Sequence, residues 1–247
     1  TSAPQATGQQ APTPQVGPAA PRPTAPAPLG LTGQLTPWLQ VRGEFRTRIE
    51  GFNGGGFADT GDAYWMDRFR LNATVRPSKS VAFVVQAHDA RAFDKTVGSH
   101  AAPFRDTLDL RMAYGEIGSK HTVRIGRQEL AFGEQRLLGH LGWANTARSF
   151  DGARATMKGN FGQVDVFAAS VVTIDPQGFD KSGSGNLIAG TYASLTAVPK
   201  QALEPYFFWR QSRNVTAELG AAADLHQATT GVRMAGKVPG ALDYSAE

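Results

Sequence analysis

The sequence predicts an all-β chain folded as an up-and-down antiparallel transmembrane β-barrel. Three observations predict it. Apolar and polar residues alternate with a period of two along successive segments. Short and long connections alternate through ten such segments, and arginine dominates the polar rows.

Residues 1–33 are a Pro/Ala/Gln/Thr tract with almost nothing to bury, so a disordered, polyproline-like linker is expected there. Residues 34–247 are the expected barrel domain. Its first segment, "WLQVRGEFRTRIE", sets Leu39, Val41, Phe45 and Ile49 on one face. The opposite face carries Arg42, Glu44, Arg46, Arg48 and Glu50. In the next, "DRFRLNATVR", Phe69, Leu71, Ala73 and Val75 oppose Arg68, Arg70, Asn72, Thr74 and Arg76. Further strands are expected at 81–90, 107–116, 122–129, 152–158, 163–174, 187–198, 203–212 and 228–238, with a stub at 242–247.

Tight turns are expected at 77–80, 118–121, 159–162, 199–202 and 239–241. Long connections fall at 51–62, 91–106, 130–151, 175–186 and 213–227. Strict alternation of the two kinds fits a barrel with short turns on one rim and long loops on the other. A soluble Greek-key sandwich, the competing fold, would mix them.

Composition narrows the function. No apolar run reaches the roughly 18 residues a membrane-crossing helix needs. A closed sheet is then the one way for these segments to cross a bilayer, because lipid offers backbone groups no partner. The 25 basic residues are 18 Arg and 7 Lys, scattered over many segments rather than gathered in one arm. That argues against nucleic acid as a partner and for planar, bidentate contacts to carboxylates. Cysteine is absent, and His88, His100, His121, His140 and His226 lack metal spacing, so neither cofactor nor metal is expected. Asp175 and Asp180 faintly resemble a calcium loop but lack the bidentate Glu.

An arginine on a lipid-facing row costs roughly 2–4 kcal/mol at the midplane, so the arginine rows are expected to face inward. Tyr64, Trp65, Tyr114, Trp143, Tyr206, Phe207, Phe208 and Trp209 lie near expected strand ends, as aromatic girdles do. The chain stops inside a strand, "LDYSAE", and an open edge is not tolerated in lipid. The expectation is therefore the N-terminal portion of a longer barrel.

The densest stretch is "GRQELAFGEQRLLGHLGWANTARSFDGAR", residues 126–154. It resembles the signature region of the alginate export family of outer-membrane barrels. Gly126, Arg127 and Gln128 end one strand; Arg136, Leu137 and Trp143 follow in the loop; Phe150, Asp151 and Gly152 open the next strand. The resemblance implies an eighteen-stranded barrel in the bacterial outer membrane that conducts an anionic polysaccharide through an arginine-lined constriction. It implies a polyuronate as substrate, outer-membrane lipid as surroundings, and periplasmic secretion components as further partners.

The expected pore-lining residues are Arg42, Glu44, Arg46, Arg48, Arg68, Arg70, Asp109, Arg111, Arg124, Arg127, Glu129, Arg136, Arg148 and Arg154. Serial arginines bind each carboxylate weakly, and interleaved acids temper the field. Arginine–acid ladders that merely stabilise the wall remain an alternative role for the same residues. A general anion or small-solute porin is the competing function. An outer-membrane hydrolase is a third, because Glu129, Glu134, His140 and Ser149 are close in sequence, although no nucleophile motif surrounds Ser149. The expectation is a channel, not an enzyme.

Overall fold

A computed structural model describes residues 32–54, 59–98, 100–196, 201–216, 220–238 and 242–247. The first strands are β1 (Thr32–Thr36), β2 (Leu39–Asn53), β3 (Gly61–Ser78), β4 (Val81–Phe93), β5 (Asp106–Gly118) and β6 (Thr122–Gln128). They continue as β7 (Phe150–Gly159), β8 (Gly162–Thr173), β9 (Lys181–Leu195), β10 (Gln201–Thr216), β11 (Ala222–Val238) and β12 (Leu242–Ala246). No helix occurs among the described residues. All strands join one sheet whose spatial order is the chain order, each antiparallel to the one before.

The ten expected strands and the stub are β2 to β12. β1 is additional: it pairs with β2 from Thr32↔Arg42 to Thr36↔Leu39. It was invisible because "TGQLT" has no apolar alternation, and its ladder is supplied by β2. The expected linker therefore gives up its last two residues to the sheet; 1–31 lie outside the described residues. Strands also reach further on the long-loop side than expected. β9 begins at Lys181 and β11 at Ala222, while β10 runs to Thr216. Their ends are rich in Gly, Ser, Asn and Ala, which read as loop, yet they take up ladder hydrogen bonds from neighbouring strands. The expected turns at 199–202 and 239–241 fall largely outside the described residues.

The apolar row is the exposed one. Ile49 is 80% exposed and Phe45 65%, whereas Arg111 and Arg68 are 4% and 5% exposed. This inverts the arrangement of a water-soluble sheet and is what a lipid-facing outer surface requires. Register keeps the phase across strands: Phe45 pairs with Phe69, and Val75 with Phe83.

The girdle expectation needs correction for several aromatics. Tyr64, Tyr206 and Phe208 are buried on the inward row, and Tyr114 packs beneath Arg124. Trp143 belongs to a loop. Sequence position near a strand end does not set the face; strand parity does. The inward aromatics build the main core, in which Phe132 stacks against Phe167 and Tyr192 with ring centroids 5.1 and 5.0 Å away.

Parity itself shifts in β5. Leu108 adopts φ 45°, and β5 slips register against β4 there and again at Arg111. The bulge turns Asp106 and Asp109 to the same inward face while Leu108 and Leu110 stay exposed.

Gly126 has φ +123°, and a Cβ there would strike the Ala113 carbonyl and approach Tyr114 Cα at 2.9 Å. Gly126→Ala is expected to cost about 1–3 kcal/mol. A lowered midpoint in urea unfolding would register this; an unchanged midpoint would mean that the β5–β6 pair yields freely.

Candidate functional site

The stretch 126–154 folds into a strand end, a loop across the inward face, and a strand start. Its two motif ends meet as neighbours: Arg127 pairs in register with Asp151, and Gln128 with Phe150. Arg127 Nε and Nη2 donate to the two Asp151 carboxylate oxygens at 2.8 and 3.0 Å. Arg127 also donates to the Leu110 and Asp180 carbonyls at 3.2 and 3.1 Å. Gln128 is fully buried and its amide donates to the Gly152 carbonyl at 3.1 Å. These contacts clamp the base of the loop.

From there the loop, residues 129–149, reaches both flanks of the sheet. On one flank Arg46 and Arg48 of β2 donate to the Ala144 and Trp143 carbonyls at 3.4 and 3.0 Å. Arg68 of β3 donates to the Gly142 and Ala144 carbonyls at 3.0 and 3.1 Å. Asn145, 1% exposed, shares its amide hydrogens among the Asp67, Arg91 and Phe104 carbonyls at 3.0–3.1 Å. The Arg48 guanidinium lies 4.6 Å from the Trp143 ring centre.

On the other flank Glu134 accepts from Arg233 of β11 at 2.8 Å and from Ser245 of β12 at 3.0 Å. These bonds hold its carboxyl at about 2, below the usual range.

A flat sheet would separate β2 from β12 by ten interstrand steps, roughly 48 Å. The ten-residue reach from Glu134 to Ala144 spans at most roughly 33–36 Å when fully extended. Its turns, including Gln135 N–H to the Phe132 carbonyl at 2.9 Å, shorten it further. One loop touching both flanks therefore requires a sheet curved around it.

A cavity of about 330 Å³ opens beside the loop base, lined by Arg42, Glu44, Arg70, Gln86, Arg111 and Glu129 among others. Glu44 pairs with Arg68, and Glu129 with Arg111. Gln86 accepts from Arg111 at 2.7 Å. Arg70 Nε donates to His88 Nδ1 at 3.1 Å, and its Nη2 has no partner.

The remaining expected residues divide by partner. Arg124 is held by Glu116 at 2.6 Å and Arg154 by Asp165 at 2.9 Å, both away from this cavity. Arg136 is over half exposed and pairs with Glu134 at 2.9 Å. Arg148 borders a separate small cavity. Glu129, weighed as a hydrolase acid, is engaged by Arg111, and Glu134 by Arg233.

Sequence reasoning missed Asn145, Asp106 and the use of His88. Asn145 carried no signal, since one Asn in a loop is unremarkable until three carbonyls converge on it. Asp106, Asp109 and Asp180 bring one carboxylate oxygen each within 4.8 Å of one another. Asp106 and Asp109 share a face only through the Leu108 bulge. Asp175 and Asp180, read faintly as a calcium loop, serve their own turn: the Asp175 N–H donates to Asp180 at 2.8 Å.

Asn145→Ala leaves three carbonyls without their donor at a cost of roughly 1–3 kcal/mol. Limited proteolysis should then cut 140–147 several-fold faster, and an unchanged rate would show that the loop does not depend on Asn145. Burial and the neighbouring Asp109 push Asp180 up to about 7, above its unfolded value of 3.8. Between those values the folded chain binds the extra proton, so stability falls as pH rises toward 7 and levels off above it. After correction for intrinsic exchange rates, amide protection in 174–180 should fall from pH 5 to pH 7.5, and Asp180→Asn should remove that fall.

A family model described as alginate export matches residues 37–247. No curated protein matches the chain. The family match begins two residues before β2 and runs through β12, so β2 to β12, the clamp and the crossing loop all lie inside it. On that coverage, the chain belongs to the alginate export family.

Proposed function

We propose that this protein forms part of an outer-membrane channel that exports an anionic polysaccharide, a polyuronate such as alginate, along an arginine-lined passage. The observation that carries the reading is the charge balance of the 330 Å³ cavity beside the crossing loop. Its two glutamates are each matched by an arginine, while among the described residues Arg42 has no acid partner and Arg70 keeps an unpartnered Nη2. The wall is therefore cationic after its internal pairs are counted. A polyuronate carries one carboxylate per sugar, and spare guanidinium donors bind such groups one at a time.

The paired arginines have a different part. Arg124, Arg127 and Arg154 are held by Glu116, Asp151 and Asp165, so they order the wall and tether the loop. Ladder and passage thus divide the arginines between them. The exposed apolar row supports lipid as the surroundings, and family membership supports export as the direction.

Reversal potentials of the full-length protein in planar bilayers under a salt gradient test this. Wild-type protein should prefer anions, and oligouronate should block the current. The double variant Arg42→Gln with Arg70→Gln should lower the anion preference several-fold, whereas Arg124→Gln should change it little. Unchanged selectivity in the double variant overturns the assignment of the cavity. Anion selectivity without oligouronate block favours a small-anion porin instead.

A further inference from the structure

Three carboxylates meet where the long connection before β9 folds back over the start of β5. These strands are four places apart in the sheet, roughly 19 Å if it were flat. The connection nonetheless touches β5. Thr107 Oγ1 donates to the Pro176 carbonyl at 2.9 Å, and the Asp180 N–H donates to Asp109 Oδ2. Asp106, Asp109 and Asp180 each bring one carboxylate oxygen within 4.8 Å of the other two. Asp106 and Asp109 are 2% and 4% exposed, and Asp180 is half-buried on the connection, where it leaves a way in.

Local donors do not satisfy this cluster. Asp109 accepts from the Leu110 and Asp180 N–H groups, and Asp180 from the Asp175 N–H at 2.8 Å. Asp106 differs from both. Its Oδ1 is buried with no hydrogen-bond partner, and His88 Nε2 stands 3.7 Å from its Oδ2, beyond hydrogen-bond reach. His88, 1% exposed, accepts from Arg70 on Nδ1, so its hydrogen lies on Nε2, which also has no partner. A fully buried carboxylate with an unmade hydrogen bond, set against two further carboxylates, calls for positive charge among them.

The cations around the cluster are committed. Arg127 Nη1 lies 3.9 Å from Asp109 Oδ1, but its Nε and Nη2 hold Asp151. Lys181 pairs with Asp175 at 3.6 Å, and Arg91 with Asp89 at 2.8 Å. One shared guanidinium does not balance three carboxylates.

We infer that Asp106, Asp109 and Asp180 form a calcium-binding site that staples the connection before β9 to the start of β5, beside the Arg127–Asp151 clamp. The donor set is all oxygen, which suits a hard cation rather than zinc or copper. Ca²⁺ holds oxygens at roughly 2.3–2.6 Å, so ligands on opposite sides of one ion lie up to about 5 Å apart. Oxygens within 4.8 Å of one another therefore fit a single shell. Mg²⁺ demands a near-regular octahedron at roughly 2.0–2.1 Å, which ligands from two separate segments do not readily supply. No spacing in the sequence announces the site. Asp106 and Asp109 share a face only through the Leu108 bulge, and Asp180 lies 71 residues beyond Asp109. The site is independent of what the passage conducts, and its occupancy would order 174–180 over the base of the crossing loop.

Calorimetric titration of calcium chloride into the full-length protein, stripped with EDTA and dialysed, tests the site, with magnesium chloride as the comparison probe. Calcium should bind with a Kd of about 10⁻⁴ M or tighter, and magnesium at least about ten-fold more weakly. Asp109→Asn and Asp180→Asn should each weaken calcium about ten-fold or more, while Asp175→Asn should change it less than about two-fold. Saturating calcium should also raise amide protection of 174–180, and Asp180→Asn should remove that rise. If Asp109→Asn does not fold, Asp180→Asn, on the connection, carries the test.

Absence of calcium binding to wild-type protein, or unchanged affinity in Asp109→Asn and Asp180→Asn, overturns the site. A loss in Asp175→Asn as large as in Asp180→Asn overturns it in favour of a site within the connection alone. Magnesium binding as tight as calcium overturns the choice of ion. None of these results depends on the reversal potential, so the site and the channel reading fail separately.

Discussion

The constraint on which the rest depends is the inversion of the sheet. With Ile49, Phe45 and Ile125 exposed on one row, every charge on β2 to β11 that shares the opposite row is turned inward. Inward charges then have few partners except one another and the loop that crosses them. Each inward arginine must find an acid, a carbonyl or a neutral acceptor, or remain available for a ligand.

The crossing loop follows from that requirement. Its backbone carbonyls at Gly142, Trp143 and Ala144 accept from Arg48 and Arg68, with Arg46 completing the set, so arginines that lack enough carboxylates are satisfied by main chain. The Arg127–Asp151 clamp brings the two ends of a 21-residue connection into one ladder, and Phe132 and Leu138 anchor its start and middle in the core. Such a loop is packed and hydrogen-bonded at its base, middle and tip. Its arrangement contrasts with the exposed connection expected of a long Gly-rich segment.

The balance of pairs also sorts roles. Arg111, Arg154 and Arg233 sit against acids within the wall, and their charge is largely cancelled locally. Arg42, Arg70, Arg148 and Arg210 are not matched by an acid among the described residues. The unmatched positive charge of these strands and their loop therefore lies in a few positions beside two cavities rather than in an even ring. The acidic counterweight, Asp106, Asp109 and Asp180, gathers next to Arg127, where it meets the clamp rather than either cavity.

The strands from β2 onward, the alternation of short turns with long loops, and the resemblance to the family were all legible in the residues themselves. All of these rest on local rules, a two-residue period and turn chemistry, that operate within a few residues. Which arginine meets which acid was set by the folded chain, because a pair such as Arg233 and Glu134 joins residues 99 apart. It also decided that Asp106 and Asp109 share a face, since one residue at φ 45° shifts the parity that alternation assumes. The same limit hid β1, whose strand character comes from pairing with β2, and Asn145, whose role exists only where three distant carbonyls converge. Period is a property of the chain, and partnership is a property of the fold.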